Sequence, residues 1–145
     1  MTLLAVAERQ VGAPPDVVFD AWLDPASLER WMAPYPATVL AADVDPIVGG
    51  TFRIVMAVGD NLFDHRGTYL EIDRPHRLAF TWISPATHEQ ESLVTVTFTP
   101  ADSATETIVR IVHERLPDEP ARGAHEAGWS SILGRLADVL ATPKP

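Results

Sequence analysis

Residues 105–140, TETIVRIVHERLPDEPARGAHEAGWSSILGRLADVL, hold the change of period that decides the fold. In the first part Val109, Ile111 and His113 alternate with Ile108, Arg110 and Val112, the two-residue period of a strand with unlike faces. The period then switches. His125, Trp129, Ile132, Leu133, Leu136 and Leu140 fall on one stripe at helical spacing, which predicts a helix from about Pro120 to Leu140. Asp118 and Glu119 stand at its start, and Pro143 lies beyond its end. Such a helix runs about 30 Å and can cross a whole small sheet. Gly123, Gly128 and Gly134 weaken it intrinsically, and Gly128 beside Trp129 predicts a close approach of the helix backbone to the sheet.

Working back from that stretch, strands dominate the middle of the chain. The segments 37–44 (ATVLAADV), 51–58 (TFRIVMAV), 66–72 (RGTYLEI), 77–83 (RLAFTWI) and 92–100 (SLVTVTFTP) are separated by turn chemistry at Gly49-Gly50, at DRPH (73–76), around Pro85 and at ADSA (101–104). Adjacent strands are therefore expected to pair antiparallel. Phe52, Ile54 and Met56 share one face by alternation, as do Leu78, Phe80 and Trp82. Before these strands, residues 3–11 read as a strand. Two short helices follow, the first opened by Pro14, Pro15 and Asp16. The second is opened by Asp24 as cap with Pro25 in its first turn, and stops before Pro34 and Pro36. The order is strand, two short helices, about six strands and a long helix. That order predicts one α+β domain over residues 1–145, with a curved antiparallel sheet wrapped around the C-terminal helix.

Composition bounds the function. The chain of 145 residues is long enough to bury a real core, and it has no Cys, which removes disulfides, thiolate metal sites and a Cys nucleophile. Net charge is −9, and all but one of the eleven basic residues are Arg, scattered along the sequence. With no basic stripe, neither nucleic acid nor an anionic membrane surface is an expected partner. MTLLAVAERQ at the start is interrupted by Glu8 and Arg9 too early for a signal peptide or a membrane span, so the expected location is the cytoplasm.

Catalytic motifs fail one by one. The histidines at 65, 76, 88, 113 and 125 form no close pair, and HEAGW at His125 has Trp129 where a zincin helix needs its second His, so no metal is expected. GWSSI lacks the final Gly of a nucleophile elbow, and Gly49-Gly50 lacks the Lys-Ser/Thr of a phosphate loop. No cofactor is expected. Asp64, His65 and Arg66 read as a solvated loop before a strand. Glu71, Glu91 and Glu114 lie on or beside strands, and no acid–base pair emerges from them. His113 shares the inward face of its strand. It is either a proton shuttle or ligand contact, or a core histidine satisfied by its neighbours.

Three stretches together resemble the heat-shock-protein-90 ATPase activator-like family: VVFDAWLDPASLERWMAP (17–34), GTYLEIDRPHRLAFTW (67–82) and TIVRIVHERLPDEPARGAHEAGWSSILGRLADVL (107–140). The family belongs to the START-like superfamily, also called SRPBCC or Bet v 1-like. The resemblance implies the helix-grip fold and an apolar cavity between sheet and C-terminal helix. Superfamily members bind lipids, sterols and polyketides, and some are cyclases or aromatases. Eukaryotic chaperone activators carry a further N-terminal domain that contacts the chaperone, and no such domain is expected here. The expected function is therefore binding of a small hydrophobic or aromatic ligand. A cofactor-free cyclase, hydrolase or isomerase is the alternative, and a chaperone accessory the third reading. Trp31 and Tyr35 are expected to wall one end of the cavity, on resemblance as much as on pattern, and Trp129 to join them. Phe52, Ile54, Phe80, Trp82 and Leu133 are expected to line it, Met32 and Met56 to supply adaptable surface, and His113 and Tyr35 to orient the guest. The expected partners are that ligand and, in a homodimer, a second copy of the chain.

Overall fold

The computed structural model describes residues 3–141; Pro143 lies outside the described residues. Seven strands, β1 (Ala5–Val11), β2 (Thr38–Val44), β3 (Thr51–Val58), β4 (Asn61–Asp73), β5 (Arg77–Trp82), β6 (Ser92–Pro100) and β7 (Thr107–Glu114), form one sheet. Their order is β1-β7-β6-β5-β4-β3-β2, and every pairing is antiparallel. Turn chemistry between successive strands forces this meander, while β1 reaches β7 only because α1 (Pro15–Ala21) and α2 (Pro25–Trp31) carry the chain to the other edge. The sheet curls around the C-terminal helix α3 (Glu119–Leu140), giving the helix-grip fold.

Two irregularities bend the sheet. The register shifts between Val39 and Ala41 in the β2–β3 pair and between Tyr69 and Glu71 in the β4–β5 pair. Bulges of this kind raise local twist and turn a strand over its neighbours. Gly67 on β4 serves the same bend. A Cβ there would collide with the Thr81 carbonyl and the Phe52 ring, so only glycine lets β4 cross β5 this closely.

The helices start where local chemistry puts them. The Asp24 side chain accepts from Ala26 N at 3.2 Å with Pro25 behind it, and the Asp118 side chain accepts from Ala121 N at 2.9 Å. Each carboxylate satisfies an orphan donor of a first turn. On α3, Trp129, Ile132, Leu133 and Leu136 are buried against the sheet, and His125 and Leu140 at the ends of the stripe are half-buried. The inward faces of β3, β5, β6 and β7 supply the rest of the core through Phe52, Ile54, Met56, Leu78, Phe80, Val94, Val96, Val109 and Ile111. Trp22, Trp31, Trp82 and Trp129 join it, with Trp22 edge-on to Trp31 at 4.9 Å and Trp82 at 5.1 Å from Trp129. Among the described residues no helix is long and apolar enough to cross a membrane.

Candidate functional site

The gap between sheet and helix closes over most of its length. Under α1 and α2 the aromatic groups pack so tightly that the space bordered by Trp22, Met32, Phe52, Ile54, Phe80 and Trp82 is about 10 Å³, no larger than a water molecule. The expectation of an open cavity at that end is corrected here. Trp22 and Trp31 fill the place a guest would take.

At the other end the grip stays open. A cleft of about 130 Å³ lies between α3 and the sheet. Gly128, Ala124, His125, Trp129 and Ile132 form its helix wall, and Met56, His65 and Trp82 its sheet wall. Pro34 and Ala86, from two loops, form the rim. It continues outward past Val58 and Phe63. Small residues make the space: Gly128 carries no side chain, and a Cβ there would meet only Pro34, at 3.9 Å. Gly128 thus opens a cleft and does not bring the helix backbone onto the sheet as expected.

Pro34 is held over the cleft by the loop around it. The Tyr35 backbone N–H donates to Ser131 Oγ at 2.8 Å, and Arg135 donates to the Ala37 carbonyl at 2.7 Å, which ties the loop to α3. Tyr35 itself turns outward and is 80 % exposed, with the Arg135 guanidinium 5.8 Å from its ring centre. The structure therefore puts Pro34, not Tyr35, on the cleft. Trp31 is also displaced from its expected place. Its indole donates to Ser27 Oγ at 3.0 Å and its ring is buried against Trp22, off the cleft. Leu133 is buried in the core between the same layers. Of the residues expected at a ligand, Met56, Trp82 and Trp129 meet at the cleft, while Met32, Phe52, Ile54 and Phe80 border the small inner void and not the cleft.

His113 points inward, and its two ring nitrogens are both engaged. Trp129 Nε1–H donates to His113 Nδ1 at 3.0 Å. An indole nitrogen can only donate, so Nδ1 bears the lone pair and Nε2 the proton. His113 Nε2–H then donates to Ser92 Oγ at 2.7 Å, and the Ser92 hydroxyl donates to the Trp82 carbonyl at 2.6 Å. The chain ties β7 to α3 and to the β5–β6 pair. Burial, aided by the nearby His125, pushes the imidazole down to about 3, so it is neutral. With no free lone pair, His113 is a core histidine satisfied by its neighbours.

The polar groups that do face the cleft are His65 and His125. Asp64, His65 and Arg66 lie within β4, not in a solvated loop. Asp64 pairs with Arg53 and Arg66 with Glu89, each at 2.9 Å, on the outer face, while His65 turns inward with its ring 5.1 Å from Trp82. The alternation Phe63, His65, Gly67, Tyr69 carried this signal. Burial lowers the pKa of both imidazoles. No Asp, Glu, Arg or Lys lines the cleft. Glu71 pairs outside with Arg77 at 2.7 Å. Among the described residues no carboxylate hydrogen-bonds His113 or the Tyr69 hydroxyl, and no three His, Asp or Glu side chains gather to hold a metal ion.

A curled seven-stranded sheet closed on its C-terminal helix, with an apolar cleft under that helix, defines a START-like protein. The chain belongs to the family described as Activator of Hsp90 ATPase homolog 1-like protein, whose pattern matches residues 12–141. The AHSA1 protein of Silicibacter pomeroyi is similar in structure with a TM-score of 0.81 and 28% identity, covering 95% of this chain and 97% of that one. A Chromobacterium violaceum protein gives 0.83 with 25% identity over 97% and 99% of the two chains. An AHSA1-like protein of Aeromonas hydrophila gives 0.76 with 25% identity over 93% and 90%. Among curated proteins the sequence finds no match.

Proposed function

We propose that this chain binds a small neutral apolar molecule, about the size of one aromatic ring, in the cleft between α3 and the sheet. The observation that carries the reading is the cleft itself, an opening of about 130 Å³ between α3 and the sheet, walled by Trp, Met, Ile, Pro, Ala, Gly and two His without an Asp, Glu, Lys or Arg. A guest there replaces water against apolar walls, which is favourable in proportion to the area covered. The family's name points to chaperone activation, but the cleft supports ligand binding.

The test uses Trp82 and Trp129, which line the cleft and report on it by fluorescence. Toluene and other one-ring probes should quench or shift that fluorescence with one-to-one stoichiometry. Gly128→Leu should abolish binding by filling the cleft, while Gly128→Ala, whose methyl meets Pro34 at an ordinary contact distance, should keep it. Binding unchanged by Gly128→Leu in a folded variant would place the ligand elsewhere.

A further inference from the structure

The hydrogen-bonding character of the cleft narrows the class of guest, on the reading that the cleft is a binding site. His125 Nδ1 lies 2.7 Å from the carbonyl oxygen of Ala121, one turn back on the same helix. A carbonyl can only accept, so Nδ1 carries the proton. Burial holds the ring neutral near pH 7, and a neutral imidazole protonated at Nδ1 presents a lone pair at Nε2, on the edge turned away from the helix backbone. Among the described residues that nitrogen has no hydrogen-bond partner.

Every donor on the walls is engaged or out of reach. The Trp129 indole N–H is held by His113 Nδ1. The single N–H of the neutral His65 ring is at Nδ1, 3.2 Å from the Phe63 carbonyl, which leaves its Nε2 a lone pair and no donor. The Trp82 indole N–H has no hydrogen-bond partner among the described residues, but it is buried and exposes no surface to a guest. No hydroxyl, amide side chain, Lys or Arg lines the space. What remains is an apolar cleft whose open polar atoms are imidazole lone pairs, with His125 Nε2 on the helix wall and His65 on the sheet wall.

We infer that the cleft selects neutral one-ring guests bearing a hydrogen-bond donor, a phenol-type hydroxyl or an aromatic amine, which they give to His125 Nε2. A guest that only accepts gains nothing over a hydrocarbon. A carboxylate meets a lone pair in a site without a cation and is rejected, because an unpaired charge is costly to bury.

The experiment is titration of phenol, anisole, toluene and benzoate into the wild-type chain, His125→Leu and His125→Gln at pH 7.5, read by calorimetry and tryptophan fluorescence. Loss of one hydrogen bond should weaken phenol about tenfold in His125→Leu. Toluene and anisole should stay within about twofold, since the apolar walls are kept. His125→Gln, which retains an acceptor, should hold phenol better than His125→Leu, and benzoate should not bind the wild type. Phenol and toluene weakened alike by His125→Leu, phenol indifferent to it, or benzoate binding tightly would overturn the inference and leave the apolar cleft standing. If neither phenol nor toluene binds the wild-type chain, the cleft reading and the inference fall together.

Discussion

Replacing His113 by phenylalanine isolates the polar work of the chain Trp129–His113–Ser92–Trp82. The phenyl ring fills nearly the same volume, so little cavity is left, but both hydrogen bonds of the imidazole disappear. Trp129 is 2 % exposed, and its indole N–H loses its one acceptor, at 3.0 Å. A buried donor left unpaired costs about 1–3 kcal/mol. Ser92 keeps its bond to the Trp82 carbonyl at 2.6 Å but loses the proton offered by His113, worth about 0.5–1.5 kcal/mol. Together the loss comes to about 1.5–4.5 kcal/mol, and since a domain of this size shifts by several degrees per kcal/mol, the thermal midpoint should fall by roughly 10 °C. Urea unfolding followed by tryptophan fluorescence measures it as a lower midpoint at unchanged slope. A double-mutant cycle with Trp129→Phe should show a coupling of about 0.5–3 kcal/mol, because the second substitution removes the donor that the first one orphans. If His113→Phe lies within about 0.5 kcal/mol of wild type, or the two substitutions are additive, the account of His113 as a structural hydrogen-bond centre is refuted.

The same residue sets a pH dependence. Its folded pKa of about 3 lies below the ordinary 6.5, so between these values the unfolded chain takes up a proton that the folded chain refuses. Stability is then fully present above about 6.5 and declines as pH falls towards 3; His65 and His125, also lowered, act in the same direction. The urea midpoint should drop between pH 7.5 and pH 5.0, and His113→Phe should flatten that drop; equal slopes in both proteins would contradict it. Gly67→Ala should be among the most damaging single-methyl changes in the chain, costing about 3 kcal/mol or more, because the added Cβ strikes the Thr81 backbone carbonyl, which cannot swing away, as well as the buried Phe52 ring. Differential scanning fluorimetry showing a wild-type midpoint for Gly67→Ala would mean that β4 and β5 are not packed as described.

Readings that rest on neighbours in the chain agree with the structure. Asp24-Pro25 and Asp118 begin helices because a carboxylate two or three residues from an orphan N–H reaches it whatever the rest of the protein does. The strands were legible from alternation, because a sheet with one buried face imposes period two on its own sequence. The helix stripe was legible for the same reason at period 3.6. The inward direction of His113 followed from this, but not its partners: Ser92 and Trp129 stand 21 and 16 residues away.

By itself, the sequence determined the order of elements and the buried faces of β3, β5, β7 and α3, and its family resemblance implied the helix-grip fold. Only the tertiary structure decided where the grip stays open. Tyr35 and Trp31 carry as much apolar surface as Pro34 and Ala86, and nothing local separates a tryptophan that fills a core from one that lines a cleft. The choice was made by packing between α3, three strands and two loops far apart in the chain. Trp22 and Trp31 close one end of the space, and Gly128, a residue without a side chain, leaves the other end open. A cavity is the volume left over after long-range packing, so it has no sequence period of its own, and its polar character hangs on hydrogen bonds, such as His125 to Ala121 and Trp129 to His113, that exist only once the chain has folded.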